Sequence, residues 1–317
     1  MSSYFYLIKF FRHFYLAALA LVLGASVVWA RPLRLFVVGN SFSQNATHYL
    51  PDLAKEGGHE LIMARAQTGA CSFERHWKAV EADLTNPGDV SGKIYSGKSL
   101  REILGQEPWD VITMQQYSFL SSDVGSYRPF AKKLFDHLHA ARPGAEIVLH
   151  QTWAYRVDAP RFGQIKAGRN AANNQEMWEN SRAAYHEIAR ELGLRVIPTG
   201  DAFWRVNSDP KWTYLPDVNF DFKQAEKPAL PNQTHSLHVG YRWGANGKLG
   251  KDATHANVAG EYLGALVWYG ILFNESPERL AYIPPGLAPD FAAHLRTVAW
   301  VVLQETAPAN RVFLPKE

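Results

Sequence analysis

Residues 33–43 read Leu33-Arg34-Leu35-Phe36-Val37-Val38-Gly39-Asn40-Ser41-Phe42-Ser43. Apolar side chains crowd the first six positions, and Gly39 and Asn40 then break the run. A short apolar run closed by turn residues predicts a strand buried on both faces, with Ser41 at its carboxyl end.

The same unit recurs downstream. HELIMARA (59–66), WDVITMQ (109–115), AEIVLHQT (145–152) and LRVIPTG (194–200) are expected strands. Between them lie segments with apolar residues at helical spacing: 49–55, 72–84 with Ser72 as N-cap, the short SLREIL, and 129–141. Residues 174–193 form the clearest helix, with Gly193 in the position that favours a left-handed end. A largely apolar helix over 256–273 closes the pattern. Five strands alternating with helices argue for a parallel sheet covered on both faces, a three-layer α/β/α sandwich. The stretch 209–251 has no sustained period and reads as an irregular insertion. With no internal repeat or linker, residues 31–317 are expected to form one domain.

Residues 1–30 carry Lys9, Arg12 and His13 and no acid, then the apolar run FYLAALALVLGASVVW, then Val28-Trp29-Ala30. That order is the one expected of a secretory signal peptide, which implies an exported, periplasmic or secreted protein. Sixteen apolar residues fall short of the about 20 needed to cross a bilayer, so membrane attachment is expected only if the segment is retained as an anchor. The 317-residue chain has 33 Lys and Arg against 30 Asp and Glu, a formal charge of +3. Removing residues 1–30 leaves 31 against 30, or +1. A near-neutral chain lacks the basic footprint of a nucleic-acid-binding protein. The single Cys71 excludes an internal disulfide framework and thiolate metal sites. At 47% hydrophobic and 13% aromatic, the chain is also too apolar to be disordered.

Chemistry-bearing residues gather where the strands end. Gly39-Asn40-Ser41 follows the first strand, Gln67-Thr68-Gly69-Ala70-Cys71-Ser72 the second, and Gln115-Gln116 the third. Asp252-Ala253-Thr254-His255 stands directly before the last predicted helix. In an open α/β sheet these ends share one rim. Ser41 is then the candidate nucleophile, His255 the base and Asp252 the residue that orients the imidazole. The N–H groups of Ser41 and Gly69, with an amide from Gln115 or Gln116, would form an oxyanion hole. The order Ser, Asp, His, with Ser41 outside any G-x-S-x-G elbow, is not that of the α/β-hydrolases.

This set resembles the SGNH (GDSL-type) hydrolase superfamily. Its first block is usually G-D-S, to which Gly39-Asn40-Ser41 is similar, and its last block D-x-x-H matches Asp252 and His255. The likeness runs from Leu33 to Phe273. It looks closest to an exported bacterial branch with G-N-S-F, a G-x-C-S-x-x-x-H-W segment (Gly69 to Trp77) and a fourth block at Gln151 to Tyr155. Gln115-Gln116 departs from the usual G-x-N-D third block. The resemblance implies a flavodoxin-like sheet and ester hydrolysis through an acyl-enzyme, with no cofactor and no metal. Many exported relatives deacetylate carbohydrate, so an O-acetylated saccharide is the expected substrate. An O-acyltransferase and a non-catalytic carbohydrate-binding protein are the alternatives.

Other readings compete. Cys71 is a rival nucleophile beside Gly69. His235 and His238 with Asp252 and His255 offer ligand types suited to zinc. Residues 92–99, GKIYSGKS, match the phosphate-binding pattern G-x-x-x-x-G-K-[ST], but no strand precedes them, which the motif requires. Trp153, Trp212, Tyr241, Trp243 and His238 are expected substrate contacts. Trp204 and Tyr214 belong to the same aromatic group, whose alternative role is to pack the insertion. Asn45, Asn232 and Asn274 fit glycosylation acceptors, but a glycan on Asn45 would obstruct the site, which favours a bacterial source.

Overall fold

The computed structural model describes residues 31–162 and 171–311. The expected leader, residues 1–30, lies outside them. In chain order the elements are β1 (Leu33–Gly39), α1 (Ser41–Ala46), α2 (Leu50–Glu56), β2 (Leu61–Gln67), α3 (Phe73–Thr85), α4 (Leu100–Leu104), β3 (Val111–Met114) and α5 (Phe130–Ala141). Then come β4 (Glu146–His150), α6 (Asn174–Leu192), β5 (Arg195–Ile197), α7 (Thr199–Asn207), β6 (His238–Trp243), β7 (Leu249–Ala256), α8 (Val258–Phe273) and α9 (Pro289–Arg311).

Strands β1 to β5 form one parallel sheet in the order β2-β1-β3-β4-β5. This is the doubly wound order whose crevice opens at the carboxyl ends of the strands. Strand alternation divides the core in two. Leu35 and Val37 of β1, Val148 of β4 and Ile197 of β5 pack with α1, α2, α7, α8 and α9. Phe36, Val38, Ile112, Met114, Leu149 and Val196 face α3, α4, α5 and α6. Helices on both faces of a five-stranded parallel sheet make the expected three-layer α/β/α sandwich. Successive side chains point to opposite sides of a strand, so a continuous apolar run feeds both cores.

Helix α8 is apolar on all sides, and Tyr262 through Ile271 are buried. That is the signature of a helix enclosed by protein rather than facing water. Among the described residues no helix is long and apolar enough to cross a membrane. Gly193 ends α6 with φ 68°, as its position predicts.

Three differences from the sequence reading matter. Helix α1 begins at Ser41 itself rather than after a longer turn. Helix α7 occupies 199–207, where the sequence analysis extends the fifth strand to residue 200. The third concerns the insertion. Residues 209–237 are irregular, but β6 and β7 pair as an antiparallel hairpin with Gly240 opposite Asp252 and a bulge between His238 and Gly240. The sequences HVGYRW and LGKDATHA carry no apolar alternation, and only Ala253 and Ala256 of β7 join the main core.

Candidate active site

The end of β1 is built without spare room. A Cβ on Gly39 would stand 2.3 Å from Ser43 Oγ and 3.1 Å from Gln115 Cδ, so no other residue fits there unmoved. Asn40 follows as the N-cap of α1, its Oδ1 accepting the N–H of Phe42 at 3.0 Å. First-turn N–H groups have no acceptor inside a helix. With the cap taking Phe42, the Ser41 N–H has no acceptor among the described residues.

Ser41 Oγ lies 2.9 Å from His255 Nε2, and His255 Nδ1 lies 2.8 Å from Asp252 Oδ2. A carboxylate only accepts, so Nδ1 carries the ring proton, and Nε2 is left to accept from the Ser41 hydroxyl. The other oxygen, Asp252 Oδ1, accepts from Thr254 N (3.1 Å), Thr254 Oγ1 (2.9 Å) and His255 N (3.0 Å). These bonds fold Asp-x-x-His into a local turn at the end of β7. Burial pushes the Asp252 carboxyl up, but the His255 ring and the His255 and Thr254 N–H groups outweigh it. Its pKa is held well below the usual carboxylate range.

Two contacts fix β7 against the sheet that carries Ser41. Trp153 Nε1 donates to Thr254 O at 3.0 Å, and Arg156 N donates to Ala253 O at 2.9 Å. Trp153 is sandwiched between Phe42 (4.2 Å) and Phe203 (4.6 Å) and is fully buried. It is therefore a strut beneath the triad, not the substrate contact expected of it.

Gly69 lies two residues beyond Gln67, which pairs with Gly39, so Gly69 and Ser41 leave adjacent strand ends. Its N–H has no acceptor among the described residues, and nothing lies within 4 Å of where its Cβ would be. Arg75 Nη1 holds its carbonyl at 2.8 Å.

The amides of Gln115 and Gln116 are turned inward, contrary to the expectation of a third oxyanion donor. Gln115 is buried, with Nε2 donating to Asn40 Oδ1 at 2.8 Å and Oε1 bonded to His150 Nδ1 at 2.7 Å. Gln116 donates to Ser126 O and Oγ and accepts from Phe73 N and Tyr117 N. Each carboxamide satisfies polar groups the fold has buried, and that demand takes it away from Ser41.

Cys71 is fully buried, and burial pushes its thiol up to about 12. This is the opposite of what an activated thiolate needs. His238 is also buried, its Nε2 bonded to Ala154 O at 3.0 Å, and burial takes its pKa down to about 4. His235 lies tilted against Trp212 (4.8 Å) and Phe291 (4.9 Å). Neither joins Asp252 and His255, and the described residues hold no group of three or more metal-ligating side chains.

Trp212 is buried against Phe291 and His294, and Tyr214 against Arg156, so both pack the insertion down. Tyr241 and Trp243 stay partly exposed, Tyr241 on Phe222 (4.6 Å) and Trp243 with its Nε1 bonded to Ala229 O at 2.9 Å. Trp204 stacks on Trp178 at 4.8 Å, between α6 and α7. The phosphate-binding pattern at 92–99 is a tight turn. Tyr95 and Lys98 exchange backbone hydrogen bonds around Ser96 (φ 52°) and Gly97 (φ 83°), and Ser99 caps α4.

Asn40 and Thr254 are structural residues of the site beyond those expected from the sequence. An Asn before a helix start and a Thr inside D-x-T-H are the signals that mark them as cap and brace.

A family model described as a domain of unknown function, DUF4886, matches residues 34–206. The chain belongs to the DUF4886 family. The matched region includes Ser41 and Gly69 and ends before β6, so Asp252 and His255 lie beyond it. A DUF4886 family protein from Bacteroides uniformis ATCC 8492 is 21% identical, covering 86% of this chain and 95% of its own, with a TM-score of 0.65. It shares the fold. A candidate GDSL-like lipase from Parabacteroides merdae ATCC 43184 is 10% identical over 78% of this chain and 99% of its own, TM-score 0.44. The periplasmic domain of a lipopolysaccharide acetyltransferase from Salmonella ser. Paratyphi A is 13% identical over 54% and 68%, TM-score 0.38. Both are too distant to bear on chemistry. No protein of curated function matches the sequence significantly. With its 2-1-3-4-5 sheet, a Ser at the end of β1 and Asp-x-x-His before α8, this DUF4886 chain has the flavodoxin-like three-layer α/β/α fold.

Proposed function

We propose that the protein is a serine ester hydrolase that works through an acyl-enzyme. The observation that carries this reading is the unbroken chain Ser41 Oγ, His255 Nε2, His255 Nδ1, Asp252 Oδ2, with links of 2.9 and 2.8 Å. In it Ser41 attacks the ester carbonyl while His255 takes its proton, and Asp252 stabilises the imidazolium. The Ser41 and Gly69 N–H groups receive the oxyanion. His255 then gives its proton to the leaving alcohol and activates water, which releases the acid and restores Ser41.

We favour hydrolysis over transfer to a second alcohol. The His255 side chain is 41% exposed, so water reaches the face from which deacylation must proceed. The preferred substrate in this reading is an O-acetylated carbohydrate, and the leader at residues 1–30 supports action outside the cytoplasm. The carbohydrate preference rests on the sequence resemblance, and the location on the residue order expected of a leader.

Hydrolysis of p-nitrophenyl acetate by the wild type, Ser41→Ala and His255→Ala tests the core of the proposal. Each substitution is expected to lower kcat by at least about 10⁴-fold. No turnover by the wild type, or turnover that survives Ser41→Ala, would overturn it. Acetate release from acetylated xylan against tributyrin separates a carbohydrate esterase from a lipase.

A further inference from the structure

A cleft of about 610 Å³ lies beside the outer edge of the main sheet, along β2. Gln44 of α1, Arg65 and Gln67 of β2, and Tyr95, Ser96 and Lys98 of the tight turn line it. Gln44 follows Ser41 by three residues on α1. Residues so spaced are neighbours on a helix surface, with about 5–6 Å between their Cβ atoms. The cleft therefore begins next to the proposed nucleophile, and its size is that of a small-molecule site.

Its charge is one-sided. Arg65 and Lys98 line it, and no carboxylate does. Arg65 Nη2 donates to Thr47 Oγ1 at 3.1 Å, and neither cation has a carboxylate partner among the described residues. Elsewhere this chain pairs its arginines readily, as in Arg101 with Asp83, Arg195 with Glu146 and Arg205 with Glu305. His48 also borders the cleft, but its ring stands 3.6 Å from Glu261 and so is partnered from the protein side. The turn that presents Lys98 is held rigidly. Tyr95 is buried, and its hydroxyl bonds to His76 Nδ1 at 2.7 Å. Gln67 is braced by donating to Ser43 Oγ at 2.7 Å, which orients β2 against α1.

We infer that this cleft binds a carboxylate on the sugar chain flanking the scissile ester, so that the substrate is an acidic, uronate-bearing saccharide. The inference rests on the esterase reading for the position of the ester, but the binding itself does not need hydrolysis. A guanidinium presents paired N–H donors that match a planar carboxylate, and the Lys98 ammonium adds a second positive charge to the cleft. Gln44, Gln67 and Ser96 supply neutral polar groups suited to ring hydroxyls.

Titration calorimetry with unacetylated trigalacturonate and neutral maltotriose measures binding apart from catalysis. Trigalacturonate is expected to bind at least roughly tenfold more tightly, with its Kd rising as NaCl is raised. Arg65→Gln and Lys98→Gln are each expected to weaken it by roughly threefold to tenfold while leaving maltotriose unchanged. Lys98→Gln alters an exposed side chain on a turn, so it remains informative if Arg65→Gln does not fold. Equal affinity for the two trimers, or acidic binding unmoved by Lys98→Gln, would overturn the inference. Acidic binding by a protein that does not hydrolyse p-nitrophenyl acetate would uphold the anion site and remove the esterase reading instead.

Discussion

Asn40 Nδ2 donates to the carbonyl of Cys71 at 3.0 Å, so one carboxamide joins the turn that carries Ser41 to the turn that carries Gly69. Its other end accepts both the Phe42 N–H and Gln115 Nε2. The proposed nucleophile and oxyanion donor are thus spaced by a buried side chain that touches neither substrate nor proton.

Asn40→Ala leaves the Cys71 carbonyl and the Gln115 amide without partners and removes the cap of α1. Each loss is worth about 1–2 kcal/mol, so a total of about 3–6 kcal/mol is expected in urea unfolding. The turnover of p-nitrophenyl acetate should fall with it. Asn40→Asp keeps the cap but loses the donor to Cys71, and should lie between the two. An unchanged unfolding midpoint for Asn40→Ala would show that the network contributes nothing.

Gly39→Ala tests the tight end of β1. Its methyl would press on Ser43 Oγ, which is itself held by Asn40 O at 2.9 Å and Gln67 Nε2 at 2.7 Å. Overpacking of this kind costs about 1–3 kcal/mol. Because the strain falls two residues from Ser41, kcat should drop more than this stability loss would suggest. A variant with wild-type kcat would show that the turn can relax without moving Ser41.

Cys71 should be inert in the folded protein. Buried, with its thiol pushed up to about 12, it offers almost no thiolate near neutral pH. Iodoacetamide at pH 7.5 should leave ester hydrolysis intact and label the residue only after unfolding. Rapid inactivation with label on Cys71 would contradict the buried placement.

Acid should destabilise the protein well above the pH at which carboxylates protonate. Burial lowers His76 and His150 to about 3 and His238 to about 4. In the unfolded chain these imidazoles take up protons below about pH 6.5. Between those limits the unfolded state holds more protons, so stability falls as pH falls. Three such groups give a slope approaching about 4 kcal/mol per pH unit near pH 5. Asp252, depressed in the fold, stabilises above its ordinary range near 3.9 and loses that contribution below it, in the same direction. Urea midpoints at pH 7, 6 and 5 measure the slope, and His150→Gln should reduce it by one proton. A flat profile over this range would exclude three neutral buried histidines.

Much of the architecture was legible because the sheet is buried on both faces. LRLFVVG and EIVLH cannot sit anywhere but between two cores, so composition alone marks them. Ser41, Asp252 and His255 were legible because their spacing has few other uses. Trp153 and His238 were misread for a common reason: a large polar-tipped ring near a site is a substrate platform only if it stays outside. Here each found a backbone carbonyl to satisfy its N–H and was drawn into the core. Gln115 and Gln116 were misread because sequence does not reveal how many buried polar groups a strand end must satisfy. The β6–β7 hairpin left little trace, since Tyr241 and Lys251 serve cation–aromatic and ionic contacts instead of an apolar face.

The acid–base pair and the hydroxyl it serves are carried by different sheets. Asp252 and His255 belong to a two-stranded hairpin that is anchored partly by single hydrogen bonds from Trp153 and Arg156. Gentle heating should therefore silence the protein by loosening this attachment while the circular dichroism of the five-stranded body is still intact. Activity would then act as a gauge of hairpin docking, one that fails before the fold does.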